Sequence, residues 1–288
     1  MKHLFVSLVA ALAVGIAAST VSAQGTAERT ASKFPHRIIS LSPTATEDLF
    51  AIGAGKQVIA VDDQSDYPKS APKTSLSGFT PNVEAVVAYH PDLVVISYSP
   101  KDFAGALAKA HIRVLLQPFA VSFKDAYAQM LQLGKVTGHV KEATALVARM
   151  KARIAKLVRS APKKALTVYD ELTPDYYSAT GASIIGEIFK LFGLKNIADA
   201  APGASSTGAV QLSAEYIVSA DPDLIVLADT RCCGQTAAGV AARPGWSGLA
   251  AVRRHAIVRI DDSIASRWGP RVVNFVKAIS LALHTVER

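Results

Sequence analysis

Two cysteines stand side by side, Cys232 and Cys233, and the chain has no others. A thiol there could serve as a nucleophile, or the pair could close a small strained ring. Nucleophilic use needs a base to take the proton, and no motif positions a histidine for that task. His36, His90, His111, His139, His255 and His284 are scattered without a pairing rule. No GxSxG elbow, P-loop or GxGxxG follows a strand-like run. A zinc site needs about four ligands, and neither CxxC nor HxxxH spacing supplies them. The residues therefore predict no catalytic set, no protein-held metal and no resident cofactor. In an oxidising compartment the two thiols have no intramolecular partner but each other, so a vicinal disulfide is expected.

Two acids carry a clearer pattern. Glu84 precedes Pro91 by seven residues, and Glu215 precedes Pro222 by seven. In both places Pro-Asp then opens an aliphatic run, Leu93–Ile96 and Leu224–Leu227. A second pair is spaced by six: Glu47 with Gly53, and Glu187 with Gly193. Repeats in the same order predict two similar lobes. Aromatic and polar residues also recur on loops that follow predicted strands: Tyr67, Phe79, Tyr98, Tyr177 and Trp268, with Asp262 and Arg267 on the last such loop. Ligands of open parallel sheets bind beyond the carboxyl ends of the strands. Cys232 and Cys233 sit on a loop of the same kind, so they are expected at the cleft rim.

The elements that must position these residues are short strands alternating with helices, which predicts an α/β chain with parallel sheets between helices. Between the two repeats runs Ser122–Val158, with apolar residues at helical spacing and Ser122 as N-cap. As one helix it would be roughly 55 Å long at about 1.5 Å per residue. Gly134 and Gly138 are the points at which it could bend. The expected organisation is a signal peptide over 1–23, an N-terminal lobe over 24–121, a linking helix over 122–160 and a C-terminal lobe over 161–288.

The signal reading rests on Lys2, the apolar Leu4–Ala18 run and the Val21-Ser22-Ala23 site. No cysteine follows that site to take a lipid. The formal net charge is +8. Ser122–Lys164 holds ten Lys or Arg against two acids, so the excess lies on the linking segment. Beyond Phe123 and Tyr127 at its start, no aromatic residues interleave with these charges, which argues against nucleic acid and for a solvated helix face.

Arg37–Val61, the Ser65-Asp66-Tyr67-Pro68 loop, both Glu-x6-Pro-Asp blocks and Arg267-x-x-Pro270-Arg271 resemble the solute-binding proteins of iron-siderophore, haem and vitamin B12 ABC importers. The pattern is most like the members that carry vitamin B12. The resemblance spans nearly the whole mature chain. It implies two α/β lobes joined by one long helix, and a monomer without enzymatic activity. The cargo, a cobalt corrinoid or an iron chelate, would lie between the lobes and be delivered to a membrane permease. Glu84 and Glu215 match the acids that dock onto arginines of the permease. Tyr67 resembles an aromatic lining the corrinoid cleft. A tryptophan that B12-carrying members place before the first docking helix is missing, and Phe79 is the nearest aromatic. The Arg231-Cys232-Cys233-Gly234 segment is not a general feature of the family. Alternatives are a haem-binding member, an exported enzyme using Cys232 or Cys233, and a sensor that would need no docking acids.

Overall fold

The computed structural model describes residues 33–100, 102–204 and 208–286. The expected signal peptide lies outside them. Among the described residues ten strands occur, in the order β1 Ile38–Leu41, β2 Val58–Val61, β3 Leu93–Ile96, β4 Arg113–Leu116, β5 Thr167–Glu171, β6 Tyr177–Ala179, β7 Lys195–Asn196, β8 Ala209–Gln211, β9 Leu224–Leu227 and β10 Ile257–Arg259. The helices are α1 Pro43–Ala51, α2 Val83–Val87, α3 Phe103–Lys109, α4 Phe123–Thr137, α5 Val140–Ser160, α6 Ile184–Phe192, α7 Ala214–Ala220, α8 Ala237–Ala241, α9 Ala250–Arg253, α10 Asp262–Ser266 and α11 Val272–Thr285.

Two separate parallel sheets result, in the orders β2-β1-β3-β4 and β10-β9-β5-β7. Read from the other end, the second is β7-β5-β9-β10, the same winding as the first. The expected two α/β lobes are therefore present, and the repeat seen in the residues is a repeat of topology. The central strands are aliphatic throughout because both of their faces are covered: every residue of β1, β3 and β9 is buried.

The Pro-Asp step has a structural reason. Asp92 accepts the backbone amides of His36 and Arg37, at 2.8 and 3.1 Å. Asp223 accepts the Thr167 amide at 2.9 Å and its hydroxyl at 3.0 Å. Each aspartate thus ties the start of one central strand to the start of its neighbour and fixes the register. The β1–β3 pair then runs Ile38↔Leu93, and the β5–β9 pair Val168↔Leu224.

The linking segment departs from the single helix expected. Ser122 caps as predicted, its hydroxyl accepting the Asp125 amide at 3.2 Å. Gly138 then takes φ +85°, a conformation that costs glycine little, and ends α4. The chain reverses there, and α5 returns antiparallel along α4. Lys151 Nζ lies 5.0 Å above the Tyr127 ring, and Gly134 faces Ala143 nearer the turn. A Cβ on Gly134 would fall 2.5 Å from that of Ala143 and 2.9 Å from the His139 carbonyl. The glycines do not soften one helix; they let two helices close on each other.

α5 is the strut proper, about 30 Å long at about 1.5 Å per residue. It begins beside Gly53 of the first lobe, which His139 approaches. It ends against α11 of the second, where Ser280 donates to the Leu157 carbonyl at 3.2 Å. Its apolar stripe, with Met130 and Leu133 of α4, joins Leu49 on one side and Val168, Phe189 and Phe275 on the other into one continuous core. Gly134→Ala is expected to lower stability by about 1–3 kcal/mol through overpacking, measured by urea denaturation.

Candidate functional site

The carboxyl ends of the first sheet open into a cavity of about 220 Å³. Leu41 ends β1, Asp62 follows β2, Ser97 follows β3 and Phe119 lies beyond β4; all four line it. So do Phe79, Tyr98, Gln64, Ser266 and Arg267, the last two from the second lobe. Phe79, Phe119 and Tyr98 are 69, 66 and 52% exposed, so this lobe turns three open rings to the cleft. Ring faces cover large apolar area at low conformational cost. Burial raises the Asp62 carboxyl above its ordinary range, although Ser65 donates to it. Its Oδ1 has no partner, and Gly78 leaves it room, since a Cβ there would meet Oδ2 at 2.6 Å.

The second lobe meets the first through arginines. Arg271 donates from Nε to Glu47 Oε2 at 2.9 Å and also engages Oε1, while Glu47 is only 2% exposed. Burial is the largest influence on Glu47 and raises its pKa; the two arginines oppose this only in part. Arg267 reaches Asp66, the Gln64 carbonyl at 2.7 Å and Glu47 at 3.6 Å. Against some desolvation, Arg267 and Arg231 hold the Asp66 carboxyl below its usual range. A buried, bidentate pair near the strut and a half-exposed pair near the mouth thus clasp the lobes together.

The expected site residues divide into groups. Phe79, Tyr98 and Arg267 come together in the cavity. Trp268 lines an adjoining recess with Ser42, Thr44, Ser97 and Phe119. Tyr67 stands apart, its ring 4.3 Å beneath the Arg271 guanidinium on the far side of the clasp. Tyr177 lies on the two-stranded ribbon of β6 and β8, opposite Gln211. Asp262 is occupied: it accepts the Arg231 amide at 2.9 Å, the Cys232 amide at 2.6 Å and the Thr230 hydroxyl at 3.2 Å. It holds the cysteine loop rather than facing the cleft.

Cys232 and Cys233 are free and exposed, in contrast to the disulfide expected. A ring closed between neighbouring residues strains the intervening peptide, and this loop instead follows the hydrogen bonds to Asp262. Desolvation, with Cys233 and the Asp262 carboxylate adding to it, pushes the Cys232 thiol up, which opposes formation of a nucleophilic thiolate. Glu84 and Glu215 are both exposed in the first turns of α2 and α7, behind the caps Asn82 and Ser213.

Sequence reasoning missed Phe119, Asp62 and a set of buried acids in the second lobe. Asp170 and Glu171 end β5, and Asp229 follows β9; all three are fully buried. Glu171 takes a bidentate pair from Arg243, at 2.6 and 2.7 Å. No carboxyl oxygen of Asp170 or Asp229 has a hydrogen-bond partner among the described residues. Burial lifts Asp170 to about 8, with the neighbouring acids adding to the rise, and lifts Asp229 to about 7. The signal available in sequence was Asp-Glu at the end of an aliphatic strand, a position where charge has no water.

Two lobes with like sheets, a strut between them and an aromatic cavity at the strand ends define a two-lobed solute receptor. The chain belongs to the periplasmic binding protein family, whose profile matches residues 38–264. It is 32% identical over 266 residues to an uncharacterized ABC transporter substrate-binding lipoprotein of Bacillus subtilis, covering 88% of this chain and 82% of that one. It is 29% identical over 260 residues to a cobalamin-binding protein of Halobacterium salinarum, covering 87% and 70%. A crystal structure described as a possible iron-binding (periplasmic solute-binding) protein from Staphylococcus epidermidis superposes with a TM-score of 0.74 at 27% identity, over 88% of this chain and all of that one.

The buried acids set a pH dependence. In the unfolded chain Asp170 ionises near its ordinary 3.8, whereas in the fold it keeps its proton to about 8. Stability is therefore lost as pH rises across that window. Asp170→Asn is expected to leave stability at pH 4 nearly unchanged and to raise it at pH 8 by ~2 kcal/mol. Denaturant titrations at the two pH values check this.

Proposed function

We propose that the protein is the extracytoplasmic substrate-binding component of an ABC importer, and that its cargo is a corrinoid or a ferric chelate. The observation that carries this is the interlobe cavity with three open aromatic rings on one wall and the Arg267 guanidinium on the other. A flat chelate would lie against the rings, and its polar rim would meet Arg267, Asp62 and Gln64. Relatives described as binding cobalamin and iron support this cargo class. Among the described residues that line the cavity there is no His, Cys or Met. The cargo's metal then arrives already complexed and is recognised through its organic shell. The thiol shift at Cys232 weighs against the enzymatic reading. Titrating the mature protein with cobalamin, haem and ferric chelates, with the visible spectrum as readout, tests the proposal. The expected result is saturable binding of at least one of them, weakened tenfold or more by Phe79→Ala with Tyr98→Ala. Tenfold corresponds to about 1.4 kcal/mol, a modest loss for two aromatic contacts. No binding of any class would reject it.

Export follows the leader already described, with cleavage after Ala23. No cysteine follows that site to take a lipid. Glu84 and Glu215 are the docking acids: each is exposed, lies one per lobe, and occupies the same position in its helix. Reversing both to Lys is expected to abolish uptake in cells while changing cargo affinity by less than about twofold, because exposed charges contribute little to the fold. Loss of binding in the double variant would assign them to the cargo site instead.

At about 220 Å³ the cavity is smaller than the roughly 300–1,000 Å³ of ordinary ligand sites. The lobes must part to admit a macrocycle. The contact that yields is Asp66 with Arg267 and Arg231, since Asp66 is half exposed, whereas Glu47 with Arg271 is buried. Asp66→Asn is expected to raise cargo affinity severalfold by lowering the cost of opening, measured by calorimetry. Unchanged affinity would show that the contact does not restrain the cleft.

A further inference from the structure

Behind the clasp, on the side away from the aromatic cavity, lies a second cavity of about 460 Å³. Three parts of the molecule build it. Glu47, Phe50 and Ala51 of α1, with the Tyr67–Ser70 loop, come from the first lobe. Arg153 comes from the strut, and Pro270, Arg271 and Asn274 come from the second lobe. Its apolar floor is the Phe50 ring, the Tyr67 ring and two prolines.

Most of the polar groups around that floor, Ser70, Arg153 and Asn274, are exposed. Glu47 is fully engaged by Arg271 and is almost without exposure. Among the described residues, no hydrogen-bond or ion-pair partner is found for the Arg153 guanidinium, the Ser70 and Tyr67 hydroxyls or the Asn274 carboxamide. With Glu47 and Arg271 cancelling, Arg153 gives the cavity a net positive charge. Arg149 stands one helical turn before Arg153 and lines the neighbouring groove, which shares Phe50 and Ala51 with this cavity and also carries Lys141 and Glu142, leaving one net positive charge there. Residues four apart share a helix face, so the positive field extends along the approach to the cavity.

We propose that this rear cavity is a second binding site, for a small oxyanion, either a free phosphate or a compact organic carboxylate. A guanidinium offers paired donors that match the two oxygens of a carboxylate or phosphate. The Ser70 hydroxyl and the Asn274 carboxamide supply neutral donors on opposite lobes. An anion held by Arg153, Ser70 and Asn274 would touch both lobes and the strut at once. It would add a bridge parallel to Glu47–Arg271, on the side where the lobes stay together. The site is independent of the cargo cavity: Arg267, Phe79 and Tyr98 take no part in it, and the clasp stands between the two.

The test is thermal unfolding of the mature protein with inorganic phosphate or citrate, each against sodium chloride of equal ionic strength. The expected result is a saturable rise in Tm with at least one of the two, absent in Arg153→Ala and partly kept in Arg153→Lys. Phosphate alone acting would identify free phosphate as the class; citrate alone would identify an organic carboxylate. Lys156→Ala on the same helix is the control for general charge and should leave the rise intact. A rise equal in Arg153→Ala, or lost equally in Lys156→Ala, would overturn the proposal, as would no rise with either anion. Binding of cobalamin, haem or a ferric chelate by Arg153→Ala is measured in parallel. Loss of the Tm rise with cargo binding intact separates the rear site from the importer function.

Discussion

A carboxylate placed where water cannot reach must find its counter-charge within the protein, and Glu47 finds it on the other lobe. Its bidentate pairing with Arg271 is the contact on which the relative placement of the two sheets rests. Alone, either partner would be a desolvated charge, which is far more costly than the pair. Together they fix α1 of the first lobe against the start of α11 in the second. Tyr67 stacks under the same guanidinium, and Arg267 is aimed into the cleft four residues earlier. The aromatic cavity and the rear cavity are the two sides of this one contact.

The duplicated acid shows how two similar lobes can diverge. Glu187 holds in α6 the place that Glu47 holds in α1, six residues before a glycine with positive φ. Instead of an arginine it accepts the Phe123 amide at 2.8 Å, at the first turn of α4. One copy ties the lobes directly; the other ties the second lobe to the linking hairpin. Both copies thus serve the junction, through different partners. The Pro-Asp copies, by contrast, kept one role, because a strand start needs the same amides satisfied in either lobe.

Much of this was legible in the residues. The paired Glu-x6-Pro-Asp blocks gave two lobes and their order, because register-fixing aspartates must recur where a sheet is repeated. Phe79, Tyr98 and Arg267 were legible as loop residues after strands. The hairpin was not, because periodicity reports a helix face and is blind to a reversal after a glycine. Tyr67 and Asp262 were misplaced because sequence gives the end of the sheet but not which side of the loop a ring or carboxylate takes. The clasp was hidden for a related reason: Glu47 and Arg271 are 224 positions apart, and pairing across such a distance leaves no local mark.

The two-helix link also decides what kind of motion the receptor can use. Extended strands crossing between lobes would concentrate rotation in a few dihedrals and allow wide, door-like swings. Here the crossing element is a helix whose own hydrogen bonds resist bending, braced along its length by a second helix and seated on α11. The junction behaves as a stiff leaf spring, yielding a little over its whole length. Small displacements at the mouth then leave most of the fitting to side chains. Under the proposed function, adaptation to cargos of different thickness would fall to the rotamers of Phe79, Tyr98 and Phe119, which are exposed.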